Sequence, residues 1–293
     1  MYHLKSEFTI FIVLVFTFLL LAKDTERSTL SKKEPLTREK KLVVSLKYSN
    51  GYITIGKSEN QNIYEGEFTY SKYRPDIRYD IVGDEGRLDI HFSGEMRDSE
   101  EDQESGDINS LNELYKNELT LNFTNKAVLD LNLDLGVVKG EVDLSGLKIE
   151  NLDLEMGVSK ATVLFSETNQ TPMKSFVIEG GVGKLAVENL GNANTAEFSF
   201  EGGVGSYELG FGGDYQQNLQ AEISLGMGKL VLYLPRHIGT RLSVDKSFLS
   251  SLEVDEVFKN GDVYTNEKWE KTKYNLDLDI ESGVGKIEVI WVE

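Results

Sequence analysis

Leu129-Asp130-Leu131-Asn132-Leu133-Asp134-Leu135-Gly136-Val137-Val138-Lys139 is the stretch on which the fold turns. Leu fills every odd position from 129 to 135 and a polar residue every even one. That is the two-residue period of a strand with one face in a core and the other in water. The stretch closes on a phrase, Asp/Glu-x-Gly-Val/Met-x-Lys, that recurs with its Gly at 136, 157, 181, 203, 226 and 283. The first five are 21, 24, 22 and 23 residues apart. Such a period marks one structural unit repeated, each too small to bury its own apolar face and therefore stacked on neighbours.

Alternating runs enter and leave each phrase. Leu152/Leu154/Met156, Phe176/Ile178, Phe198/Phe200, Ala221/Ile223/Leu225 and Leu276/Leu278/Ile280 lead in. Leu185/Val187, Tyr207/Leu209, Leu230/Leu232/Leu234 and Ile287/Val289/Trp291 lead out. Between two strands that both point apolar residues inward the backbone must turn a corner, and Gly does so without a Cβ clash. A missing Cβ also lets successive corners lie against one another at strand spacing. A Gly-x-Gly pattern that cradles phosphate needs a following amphipathic helix, and none follows here. The expectation is an all-β, repeat-built, solenoid-like array of coils of about 21–24 residues.

The 57-residue gap from Gly226 to Gly283 holds a degenerate unit over 245–254, with Ser247 at the corner position, and an insertion at about 255–273. Ser49-Asn50-Gly51-Tyr52-Ile53-Thr54-Ile55 reads as a separated first corner. The resulting layout is a signal peptide or N-terminal membrane anchor at 1–22, a charged linker at 23–41 and an N-terminal β segment at 42–92. An acidic loop at 93–117 and the main array at 118–293 follow.

A chain of 293 residues with no Cys can have neither disulfides nor a thiol nucleophile nor Cys-ligated zinc. The formal charge is -18, and residues 23–41 are net basic, so the body is more acidic still. It repels phosphate backbones, which argues against nucleic-acid binding. Phe8 to Ala22 is an apolar run of 15 residues. A spanning helix wants about 20, so the length favours export by a signal peptide; left uncleaved, residues 8–22 give membrane association.

The residues resemble the toast-rack domain family, which includes the LiaF-like cell-wall-active antibiotics response proteins and adhesin-type bacterial envelope proteins. The resemblance runs from about Leu42 to Trp291. It is carried by Phe68-Thr69-Tyr70 with Pro75 and Gly86-Arg87-Leu88, by Leu131 to Gly136, and by Leu190-Gly191-Asn192-Ala193. Leu234-Pro235 and Gly261-Asp262-Val263-Tyr264-Thr265-Asn266 add to it. It implies a β-solenoid-like domain of the bacterial envelope, in some members linked to envelope stress, with no catalytic residues to carry over. In that family Asp commonly closes the phrase, whereas here Lys139, Lys160, Lys184, Lys229 and Lys286 do so, with Ser206 the exception.

Those five Lys are the candidate interaction face, for a protein or a cell-envelope polymer. Asp134, Glu155, Glu179, Glu201 and Glu281 lie two residues before the Gly, so stacking in register gives an acid row and a Lys row whose opposite charges offset repulsion within each. Catalysis is not expected: carboxylates alternate with core residues instead of converging, His91 and His237 stand alone, and no Gly-x-Ser-x-Gly occurs. No cofactor or metal is expected. The acidic run 98–107 is rich in hard oxygen ligands, but its spacing is not that of an EF-hand loop. The reading is an exported, non-catalytic binding or scaffold protein of the envelope, with an accessory role in envelope stress. A glycan-binding adhesin is the alternative, and a polysaccharide-active enzyme on a β-helix the more distant one. Trp291 reads as a cap or a self-association surface.

Overall fold

The structure, a computed structural model, describes residues 27–92 and 117–293. The apolar leader and the acidic run 98–107 lie outside the described residues. Among these, sixteen strands join in one sheet, and no α-helix occurs. β1 (Ser28–Pro35), β2 (Lys41–Lys57), β3 (Asn62–Tyr70), β4 (Asp76–Val82), β5 (Glu85–Phe92) and β6 (Glu118–Phe123) build one end. β7 (Val128–Asp143), β8 (Lys148–Leu164), β9 (Ser175–Glu188), β10 (Glu197–Gly210) and β11 (Leu219–Pro235) form the parallel centre. β12 (Gly239–Lys246), β13 (Ser250–Glu253), β14 (Phe258–Asn260), β15 (Val263–Thr265) and β16 (Asn275–Val292) complete the other end.

Each long strand is two arms around a corner. In β7 the inward residues are Leu129, Leu131, Leu133 and Leu135, then Val138 and Val142, so the alternation slips by one across Gly136 and Val137. The slip turns both arms toward the same interior, and the buried side chains of the whole stack form one continuous cluster. Each fully buried Leu, Ile or Phe there contributes about 1.5–3 kcal/mol. Register is kept along the stack: Val137 pairs with Val158, Val158 with Val182, Val182 with Val204, Val204 with Met227, and Met227 with Val284.

The corners need glycine for a measurable reason. A Cβ on Gly226 would lie 2.7 Å from the Gly203 carbonyl oxygen of the coil beneath, and Gly183 has φ +133, a conformation that residues with a Cβ rarely adopt. Tyr207 ties two layers together, its hydroxyl donating to the carbonyls of Gly180 at 2.9 Å and Gly181 at 3.1 Å.

On the side where one coil returns to the next, amide side chains replace the ladder. Asn169 Nδ2 donates to the Ile149 carbonyl at 2.8 Å while its Oδ1 accepts from Ile149 N at 3.1 Å. Asn192 Nδ2 donates to the Phe165 carbonyl at 2.8 Å, and its Oδ1 accepts from Asp214 N at the same distance. Both Asn are buried, so these bonds remove the desolvation cost of turning backbone inside the body.

The ends depart from sequential stacking. β16 lies between β11 and β12, so Gly283 stacks directly on Gly226 and the degenerate unit comes after it in space, though before it in sequence. Ser247 takes the corner place, its hydroxyl donating to the Gly283 carbonyl. At the opposite end β2 is flanked by β7 on one side and, on the other, by β5 along its first arm and β6 along its second. β3 and β4 pair antiparallel to β6 and β5, and β1 pairs antiparallel to β3. Residues 28–35, inside the stretch read as a charged linker, are therefore a strand; Lys32, Lys33 and Pro35 on it discourage further pairing at this edge.

Candidate functional site

The five Lys of the candidate face stand in one row on the outer side of the second arms. The register runs Tyr52, Lys139, Lys160, Lys184, Ser206, Lys229, Lys286, Ser251 across neighbouring strands. Successive rungs are about 4.8 Å apart. Phase explains the row: Lys is the first outward residue after the corner, and the residue that follows it points into the core.

The row divides electrostatically. Lys229 Nζ lies 2.8 Å from Glu288, and Lys286 lies 2.6 Å from Glu253 and 3.6 Å from Glu288. Hydrogen bonding to Glu253 raises the Lys286 ammonium above its ordinary value, and Lys229 holds the Glu288 carboxyl below its own. Lys139 sits over the Tyr52 ring, 5.5 Å from its centroid. Among the described residues the Lys160 and Lys184 ammonium groups make no ion pair or hydrogen bond. Register alone does not decide this: Glu208 stands to Lys184 as Glu288 stands to Lys229, two residues beyond the register partner on the next strand, but Glu208 accepts from the Tyr233 hydroxyl instead.

Lys139, Lys160 and Lys184 border a groove of about 400 Å³ whose other walls include Thr162, Ser206 and Glu208. Glu208 is engaged by the Tyr233 hydroxyl at 3.3 Å. The groove thus presents three adjacent cations with two hydroxyls and one carboxylate on a body of formal charge -18.

Asp134, Glu155, Glu179, Glu201 and Glu281 form their own row on the first arms, with Ser224 at the interruption. The expectation that the two rows offset one another is corrected: among the described residues no ion pair joins them. The corner turns them onto different faces, and the carboxylates that do meet the Lys row, Glu253 and Glu288, belong to the second arms. Between the rows runs a feature that the sequence reading treated only as turn chemistry. Val158, Val182, Val204 and Met227 are each about half exposed at the corner itself. Alternation could not expose them in advance, because the corner is where alternation breaks.

A second electrostatic centre lies near the outer end. Glu39 is buried; its Oε1 accepts from the Tyr79 hydroxyl at 2.5 Å and its Oε2 from Thr37 N, Thr37 Oγ1 and Arg38 N. Burial works against its charge, but these donors outweigh it and bring the carboxyl down to about 2. Burial, with the Glu39 carboxylate beside it, pushes the Tyr79 hydroxyl up. Both oxygens accept from donors, those on Oε2 fixing the loop and Tyr79 tying it to β4, so the arrangement is structural. His91 and His237 lie far apart in the fold, one in β5 and one in the turn after β11. Among the described residues no three His, Asp or Glu side chains group to hold a metal, and no helix is long and apolar enough to cross a membrane.

Comparison with known proteins places this geometry in a family. No curated protein matches the sequence. Among solved structures, a provisionally assigned cell adhesion protein from Clostridium sporogenes is 21% identical, aligning 91% of this chain with 100% of its own at a TM-score of 0.44. A provisionally assigned adhesin from Bacteroides fragilis is 12% identical, with 90% and 97% covered and a TM-score of 0.36. A provisionally assigned lipid binding protein from Parabacteroides distasonis is also 12% identical, with 91% and 98% covered and a TM-score of 0.34. The family profile of the N-terminal domain of toast_rack, DUF2154, matches residues 22–188, more than half of the sequence, from the start of the first strands through the Lys139–Lys184 rungs. The chain belongs to the toast-rack family.

Proposed function

We propose that this protein is a non-catalytic binding or scaffold component of the bacterial envelope, acting through the Lys row of its second arms, and that it serves as an accessory of the envelope-stress response. The observation that carries the reading is the Lys139–Lys160–Lys184 segment, whose ammonium groups make no ion pair among the described residues and which borders a groove on a strongly acidic body. Three like charges one strand apart repel each other, and an anionic partner that binds along them relieves that repulsion as well as gaining attraction of its own. A protein or envelope polymer carrying several negative groups fits such a row better than a single small anion does. The Lys229–Lys286 half is matched by Glu288 and Glu253 and contributes less.

In this reading the array is a stack of coils of about 21–24 residues behind a leader at 1–22, and the apolar run Phe8 to Ala22 directs export. The family membership agrees with an envelope location. Crosslinking in intact envelopes followed by affinity capture tests the proposal. The double variant K160E/K184E loses the crosslinked partner while keeping the wild-type melting temperature, and K229E retains most of it. Undiminished capture by the double variant overturns the role of the row, and recovery of the protein from cytosol alone overturns the location.

A further inference from the structure

A cavity larger than the Lys groove lies away from the Lys row, at the end of the stack where the 255–273 insertion folds back against β16. Its volume is about 600 Å³, within the range of small-molecule sites, and nothing argued so far uses it. Trp291 and Phe258 supply its aromatic surface; Arg236, Glu256, Glu267 and Lys268 supply its polar surface.

We infer that this cavity is a binding site for a neutral sugar, a single ring or a short oligosaccharide. Three features lead there. First, the Trp291 indole N–H is already committed, donating to the Asp255 carbonyl at 2.9 Å, so what Trp291 offers the cavity is ring surface. Phe258 is 69% exposed on the short strand β14, an unusual cost for a ring in water unless something covers it.

Second, the polar side chains cancel in charge, two cations against two carboxylates. An anionic ligand gains no net attraction here, unlike at the Lys row, because Glu293 also lies 3.9 Å from Arg236. A wholly apolar ligand would strip water from four charged groups without replacing its hydrogen bonds. A sugar ring satisfies both demands, with an apolar C–H face for the aromatic rings and hydroxyls that both donate and accept.

Third, the polar groups are held in place before any ligand arrives. Arg236 grips Glu256 through both terminal nitrogens while its Nε lies 3.9 Å from Glu293, so the guanidinium is fixed from two sides and the remaining Glu256 lone pairs point elsewhere. Glu256 has φ +58, a left-handed conformation unfavourable for a residue with a Cβ. The adjoining wall is anchored by buried Asn266, which accepts from Thr240 N at 2.9 Å and donates to the Ile238 carbonyl at 2.7 Å. Fixed donors and acceptors beside an aromatic wall lower the ordering cost of binding.

The test uses the W269F variant, which leaves Trp291 as the sole indole. Its fluorescence is titrated with glucose, galactose, mannose, N-acetylglucosamine and their β-1,4-linked dimers. Saturable quenching by at least one of these probes is expected. Adding F258A, which removes an exposed ring and leaves the core intact, weakens that binding about three- to tenfold, the scale of one aromatic contact. Adding K160E/K184E leaves it unchanged, since the Lys row is a separate face. The inference is overturned if no probe saturates, if F258A binds as tightly as its parent, or if K160E/K184E abolishes the quenching.

Discussion

Gly183 and Gly226 show what the repeated phrase demands of single residues. G183A places a Cβ at φ +133 and against the Ser159 carbonyl oxygen, and it destabilises the fold by about 2–4 kcal/mol, read as a lower denaturant midpoint. At Gly226 this requirement was legible in the sequence, because that glycine recurs in every repeat of the phrase; at Gly183 it was less so, because Val138 and Ser159 hold the equivalent place in the first two coils. Glu39 was not legible: it sits in a run of mixed charge, and its partner Tyr79 is distant in sequence. Its folded pKa of about 2 lies below the ordinary value of 4.5, so its stabilisation is complete above about pH 4.5 and is lost as pH falls toward 2. E39Q therefore costs about 2–3 kcal/mol at pH 7 and little near pH 2, a convergence that thermal melts across the acid range detect. The Lys that close the phrase were visible as a row, yet which of them are neutralised was not. That depends on which strand is the neighbour and on what else engages its carboxylate: Glu288 and Glu253 meet Lys229 and Lys286, whereas Glu208, in the same relation to Lys184, accepts from Tyr233.

Among elements, the alternating arms around each phrase were the most readable part of the chain. Two inward-facing series meeting at a glycine leave little choice but strand, corner, strand. β1 escaped because Ser28–Pro35 is an exposed edge strand, where Lys and Pro guard against further pairing and erase the apolar alternation that would reveal it. β5 and β6 were obscured for another reason. They flank the two arms of β2 as one rung, but the acidic stretch between them replaces the glycine phrase that would have marked their corner. The place of β16 was hidden by the ordinary assumption that neighbours in sequence are neighbours in space. β16 pairs along almost its whole length with β11 and, on the other side, with both β12 and β13. A chain truncated after Tyr274 therefore loses both ladders at once. It exposes the edge of β11, whose inward residues Ile223, Leu225 and Leu230 are buried in the intact protein, and it melts at a lower temperature with greater aggregation by light scattering.

For the whole molecule, one folded sheet with a single continuous interior gives long outer faces and little enclosed space, an architecture suited to contact along a surface. The two proposed sites divide that surface by chemistry, with cations along the flank and a charge-balanced aromatic cavity at one end, and loss of either leaves the other to be measured alone. The position of β16 also bears on how the molecule comes into being. β11 and β12 emerge from the ribosome first, and both must remain open to a strand not yet made. Until Asn275–Val292 arrives, the stack has an internal slot bounded by two ready ladders, and any chain with the same inward pattern can enter it, including the β16 of another copy. A synthetic peptide spanning 275–293, mixed with the truncated chain, restores its melting temperature if the slot accepts a donated strand; no recovery at saturating peptide would mean that the gap closes once it is left empty.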